Sequence, residues 1–290
     1  MANSSMLSIG VRGGGQTYLP TAAVGATGEL KPAFGGVGAL DLRYTFYGCL
    51  NNYFGIGFAV GAGVGYGTAG IQGTNTDAYT NIDYLGNRMD YTIYSAYAHT
   101  NRFAKVDASL LFAMCFGNIT LNIGPRFMMP FMNASTLTVP TATIDAYYPA
   151  YDVHVTDQLI TGKLTTPYSQ SVSYPLPEYN VLMTAELGYE WYVNEKNCIG
   201  IQAFADVAVW SKPSSISNLQ SPMIEVSPIT DTSNPVPTVT VNAPSHLVSN
   251  LRYLGFGLRV YFAFSIGSSN RDTHLPPRDT RHHHNRYLRW

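Results

Sequence analysis

One pattern restricts this chain more than any other. Large apolar residues alternate strictly with small or polar ones, and the pattern recurs eight times along the sequence. Successive side chains of a β-strand point to opposite faces, so a period of two marks a strand and assigns each residue to a face. In GGVGALDLRYTFYG (35–48), Leu40, Leu42, Tyr44 and Phe46 share one face, while Asp41, Arg43 and Thr45 share the other. SMLSIGVRG sets Leu7, Ile9 and Val11 against Ser8, Gly10 and Arg12. FGIGFAVGAGVGYG sets Phe54 through Tyr66 against an unbroken series of Gly and Ala. KVDASLLFAMCF and ITLNIGPRFM repeat the pattern, followed by YNVLMTAELGYEWYV, CIGIQAFADVAVW and YLGFGLRVYFAF.

The eight apolar faces contain no Asp, Glu, Lys or Arg. The opposite faces collect Arg12, Arg43, Lys105, Arg126 and Arg259, together with Asp41, Asp107, Glu186, Glu190 and Asp206. Five charges of each sign suit an enclosed space, where desolvation demands that each ion be paired. The same charges turned toward hydrocarbon would cost about 2–4 kcal/mol each near a bilayer midplane. The expected fold is therefore all-β: an up-and-down antiparallel transmembrane barrel of eight strands, with these ten residues forming a salt-bridge network in the lumen. A closed barrel satisfies every backbone hydrogen bond in lipid, and eight strands leave an interior that side chains can fill. A soluble lipocalin-like barrel would place the apolar faces inside instead.

Composition agrees. Only 12% of the 290 residues are charged, about half the share of a soluble globular protein. A net charge of −1 gives no reason to expect a nucleic-acid partner. No apolar run is long enough for a transmembrane helix. Short connections fall near CLNNY (49–53), Gly117-Asn118 and NEKN (194–197), whereas long ones cover roughly 14–35, 71–100, 131–178 and 211–249. Short turns at one end and long loops at the other are the pattern of outer-membrane barrels, periplasmic and extracellular respectively. The N-terminus lacks a charged n-region and an apolar h-region, so a secretion signal is expected to be absent from this chain. Cys49, Cys115 and Cys198 lack metal or redox spacing and are expected toward the short-turn end. No cofactor or metal is called for.

With its alternation, loop asymmetry and final strand YLGFGLRV (253–260), the chain resembles the eight-stranded outer-membrane proteins: the OmpA membrane domain, OmpX and the PorG-like barrels. The resemblance covers about residues 5 to 267 and lies in architecture. It implies integral residence in a Gram-negative outer membrane, contact with outer-membrane lipid including lipopolysaccharide, and assembly by the barrel-insertion machinery. The chain departs from the group by continuing past Phe264, and the peptidoglycan-anchoring role of OmpA does not carry over.

The expected division is a barrel over 1–267 and a periplasmic tail over 268–290. The tail carries five Arg, a His run (282–284) and the anchors Arg286, Tyr287, Leu288, Arg289 and Trp290. Arginine and aromatics dominate interface energies, so the tail is read as a docking segment for an envelope protein. Tyr79, Tyr84, Tyr91, Tyr94 and Tyr97 crowd one long connection, and Tyr147, Tyr148, Tyr151 and Tyr168 another. They suit strands continuing above the membrane or a binding surface. ATIDAYY and YDVHVT alternate as a hairpin would. His99 beside Thr100, and His154 near Asp152 and Asp157, are the only candidates for catalysis, and neither forms a motif. The functional expectation is a non-enzymatic structural or adaptor barrel with a plugged lumen. The alternatives are an adhesin or ligand-binding barrel acting through its Tyr-rich loops, and a narrow diffusion channel.

Overall fold

The computed structural model describes residues 3–22, 29–50, 54–83, 85–156, 168–171, 176–194, 196–213, 224–227, 238–241 and 248–266. Thirteen strands lie among them: β1 (Asn3–Ala22), β2 (Leu30–Ala33), β3 (Gly35–Cys49), β4 (Phe54–Ile82), β5 (Arg88–Phe116), β6 (Ile119–Tyr148), β7 (Val153–Thr156), β8 (Tyr168–Ser171), β9 (Tyr179–Tyr192), β10 (Asn197–Lys212), β11 (Ile224–Ser227), β12 (Thr238–Val241) and β13 (Val248–Ser265). No helix long and apolar enough to cross a membrane occurs among the described residues.

Eight of the strands close a ring in the order β1-β3-β4-β5-β6-β9-β10-β13, and β13 pairs back onto β1, all antiparallel. Following paired residues around it leads from Ser5 through Phe46, Phe58, Phe112, Ile123, Ala185, Ala205 and Phe256 to Gly15. The path returns to β1 ten residues farther along. With eight strands, that stagger sets a tilt of about 40° and a backbone radius of about 8 Å. An even stagger also keeps each inward position inward all the way round.

The exterior is an apolar belt. Ile9, Val11, Leu40, Leu42, Val60, Leu110, Leu187, Leu258 and Val260 all face out and are about half exposed. Aromatic residues bound the belt at both ends. On the short-turn side Phe54 stacks on Phe116 (4.8 Å between ring centroids) and Tyr189 leans on Trp191. On the other side Phe127, Tyr179 and Trp210 form a row with 5.2 Å spacings, and Tyr66 of β4 also faces outward. Phe54 and Tyr66, twelve residues apart on β4, are separated by about 30 Å along the axis at ~3.3 Å per residue and this tilt. The short turns close tightly. Gly117, at φ +59°, takes the left-handed conformation that a two-residue turn between β5 and β6 requires.

The connection over 71–100 is a strand hairpin, and here the sequence reading is corrected. β4 and β5 stay paired without interruption from Phe54↔Phe116 to Ile82↔Arg88. Between the two strands the Asp83 carboxylate accepts the backbone N–H groups of Leu85 and Asn87. β6 likewise runs on to Tyr148, and the hairpin expected beyond it forms, with β7 pairing Thr156 with Asp145. These strands outlast the belt because their inward faces have something to bury. Tyr91, Ile93 and Tyr97 of β5 join Ile71 of β4 and Leu137, Ile144 and Ala146 of β6 in one apolar cluster. Tyr91 and Tyr97 are therefore core residues; Tyr94, on the other face, is exposed. Tyr84 lies outside the described residues.

Candidate functional site

The interior of the ring is the chemically distinctive part of the molecule. Within the belt, every ring strand except β4 places a charged side chain inside the ring, and β4 contributes Asp77 farther up. Arg43 of β3 grips Glu186 of β9 with both terminal nitrogens, one at 2.8 Å. Two parallel N–H···O bonds make this the strongest kind of ion pair. Arg259 of β13 meets Asp41 of β3 at 2.8 Å, and donates also to Gln202 (3.2 Å) and Ser8 (3.0 Å). Arg12 reaches Asp206 at 3.2 Å, and Thr184 donates to the same carboxylate at 2.8 Å. Arg126 stands between three anions: Asp107 and Asp206 at 3.5 Å and Glu186 at 3.9 Å. A guanidinium offers five donors in a fixed fork, so one arginine can tie several strands together.

Two of the ten charges are held differently from the expected salt bridges. Lys105 donates to the Tyr253 phenol (3.0 Å), which in turn donates to Gln16 (2.9 Å). Its charged neighbours Asp107 and Asp206 lie farther off. Glu190 accepts from the phenols of Tyr261 (2.6 Å) and Tyr192 (3.1 Å). Tyrosine hydroxyls thus stand in where a second ion would be too short or too far.

The glycine and alanine series on β4 supplies the room. A Cβ on Gly63 would come within 3.1 Å of both Asp107 oxygens, and one on Gly61 within 2.9 Å of the Ser109 hydroxyl. Gly10 of β1 serves the same purpose for Asp41, whose Oδ1 would lie 2.7 Å from a Cβ. Apolar groups then stop both ends. Met6, Tyr47, Leu111, Cys198 and Tyr261 pack below the network, with Cys115 against them. Tyr18, Phe103, Met128, Leu182 and Tyr253 pack above it. Arg12 lies 3.8 Å over the Phe204 ring and Arg259 4.2 Å over Tyr261, so aromatic faces cover the cations that border these layers. A small space lined by Arg43, Asn122, Glu190 and Tyr261 has room for about one water molecule.

Sequence reasoning missed the neutral partners of these charges: Gln16, Tyr253, Tyr261, Tyr192, Thr184 and Phe204. Inward glycines were the available signal, since a missing side chain on one strand marks a large one opposite. The tail residues Arg286, Tyr287, Leu288, Arg289 and Trp290 lie outside the described residues. The two candidate histidines stand apart. His154 is exposed, 3.3 Å from Asp145 and stacked on Tyr147, while Asp152 accepts from the Tyr147 phenol. Asp157 lies outside the described residues. His99 is fully buried on the inward face of β5, above Arg102, which is exposed at the upper limit of the belt. Burial pushes its pKa down to about 4, so it is neutral at pH 7. Thr100 points the other way.

No family model and no curated protein matches the sequence. Among solved structures, the chain is similar to the translocator domain of the autotransporter NalP from Neisseria meningitidis. The identity is 8%, the match covers 92% of this chain and 89% of that one, and the TM-score is 0.22. A likeness so slight carries neither strand order nor function, and the ring of eight strands stands on its own pairing.

Proposed function

We propose that this chain is an integral outer-membrane barrel, sealed along its axis, that serves as a non-enzymatic anchor and adaptor in the cell envelope. The observation that carries the reading is the opposition of its two surfaces. An apolar belt about 30 Å tall between two aromatic rows fits a bilayer core and its interfaces. The lumen it surrounds holds five cations and five anions, crossed by neutral polar groups and stopped by apolar layers. Such an interior has no continuous aqueous path, which disfavours the channel reading. Arg102 and Arg252, exposed at the upper edge of the belt, suit the phosphorylated headgroups of outer-leaflet lipopolysaccharide. Within the outer-membrane barrels, we assign the chain to the small group that includes the OmpA membrane domain and OmpX. The tail over 268–290 provides the adaptor function, its arginine and aromatic residues docking an envelope protein.

Reconstitution into planar bilayers tests the seal. The expected result is no steady conductance, and a reproducible open level would overturn it. Co-purification from envelopes with the full chain, and with a chain lacking 268–290, tests the adaptor role. Loss of a specific partner on truncation supports it, and an unchanged set of partners refutes it.

A further inference from the structure

Above the belt, the inward faces of β4 and β5 carry a band of polar side chains between two apolar layers. Asn75, Asp77, Ser95, Tyr97, His99 and Asn101 are all 6% exposed or less. Phe103 and Tyr18 lie below them, and Ile93 and Tyr91 above. Asn75 faces Ser95 directly across the strand pair, and Tyr97 faces Gly73, where its hydroxyl would lie 3.2 Å from a Cβ. Directly opposed residues have Cβ atoms about 5 Å apart, and positions two apart on a strand are about 7 Å apart. Asn75, Ser95 and Tyr97 are therefore within reach of one small molecule.

Among the described residues their polar atoms have no partner. Both amide atoms of Asn75, the Ser95 hydroxyl and the Tyr97 hydroxyl are buried with no hydrogen-bond partner. Native proteins rarely leave such groups unmade, and a cluster of them calls for a reason. Lower on the same strands, Lys105 and Asp107 have their partners. We propose that this band is a binding site for a neutral, hydroxyl-rich ligand of the carbohydrate class, held at the mouth of the barrel.

The chemistry fits that class best. An amide and two hydroxyls each both donate and accept, as every hydroxyl of a sugar does. No arginine or lysine lies in the band to take an anion, and His99 is neutral. The aromatic ring of Tyr97 offers a surface for the C–H face of a sugar ring. A few fixed polar groups in an apolar, aromatic lining are the usual make-up of a small-molecule site. The site is independent of the tail and of the seal below it.

The test uses the full chain, refolded in a zwitterionic detergent so that no glycoside competes, and titrated with a panel of free mono- to hexasaccharides while tyrosine fluorescence is followed. The folded wild type is expected to bind at least one member of the panel. Asn75→Leu and the nearly isosteric Tyr97→Phe should each weaken that binding about tenfold or more, the scale of one lost buried hydrogen bond. Tyr94→Phe, on the exposed face, should leave it unchanged, and gel mobility of the unheated protein confirms that each variant is folded. No binding by the folded wild type to any member would overturn the proposal. So would binding that both folded variants retain in full.

Discussion

β5 is one continuous strand with two opposite halves. From Phe116 down to Ala104 its outward face is apolar, with Phe112, Leu110 and Val106, and its inward face holds Ser109, Asp107 and Lys105. From Arg102 to Met89 the outward face turns polar, with Thr100 and Asp90, and the inward face carries Asn101, His99, Tyr97 and Ser95, then Ile93, Tyr91 and Met89. The alternation never loses phase; the outward face changes from apolar to polar between Ala104 and Arg102. The strand has not changed, but its surroundings have. Below the crossing, apolar side chains face outward and ion pairs fill a closed ring. Above it, the outward face is polar, and a band of polar side chains within gives way to an apolar core. The lesson is that period two fixes which residues share a face, and the medium decides what each face must carry.

The comparison can be broken in three places, in order of expected effect. Arg43→Met leaves the buried carboxylate of Glu186 without its bidentate partner and should cost the barrel about 3–5 kcal/mol in urea unfolding from detergent micelles. Adding Glu186→Leu should recover most of that loss. Ser95→Ala, which removes an unpartnered hydroxyl from the upper half, should cost nothing measurable. Equal losses in both halves would show that the lumen charges are not paired as described.

A smaller effect is expected on the outer face. Leu110→Arg, in the belt, should destabilise the barrel in lipid vesicles by about 2–4 kcal/mol. Thr100→Arg, ten residues away on the same face of the same strand, should stay within about 0.5 kcal/mol. If the two variants behave alike, the belt does not end at Arg102.

The smallest effect is a pH dependence confined to the upper half. His99 is neutral in the folded chain until about pH 4, whereas in an unfolded chain it takes a proton below about 6.5. The folded pKa is the lower one, so stability is fully present above pH 6.5 and is lost as pH falls toward 4. Amide exchange over residues 88–102, corrected for its intrinsic rate, should show that loss of protection. His99→Gln should flatten the profile, and residues 104–116 should not follow it.

The lower half was legible in the sequence because its two faces differ sharply in composition, with clean lists such as Leu40, Leu42 and Tyr44 against Asp41 and Arg43. The upper half was harder to read. Tyr91, Ile93, Tyr97 and His99 alternate as regularly as the belt residues do, but on the face that carries charge below. A template with one greasy face takes that reversal for a loop. The neutral members of the lumen escaped for another reason. Tyr253 and Gln16 are 237 residues apart in sequence, and nothing local in either marks the lysine they serve.

The pairing of β1 with β13 sets the order of assembly. Seventeen residue pairs, from Met6↔Ser265 to Ala22↔Val248, join segments from opposite ends of the described chain, and the Ser265 hydroxyl bonds the Ser5 carbonyl across 260 positions. The other seven seams join segments that follow one another in sequence. Until that seam zips, the nascent sheet has two raw margins, each able to recruit a stray strand from another molecule. Closing that seam, with its long sequence separation, is therefore expected to be the kinetic bottleneck. A circular permutant opened at Gly117-Asn118, with Ser5 and Ile266 spliced together, would move the bottleneck to the β5–β6 seam.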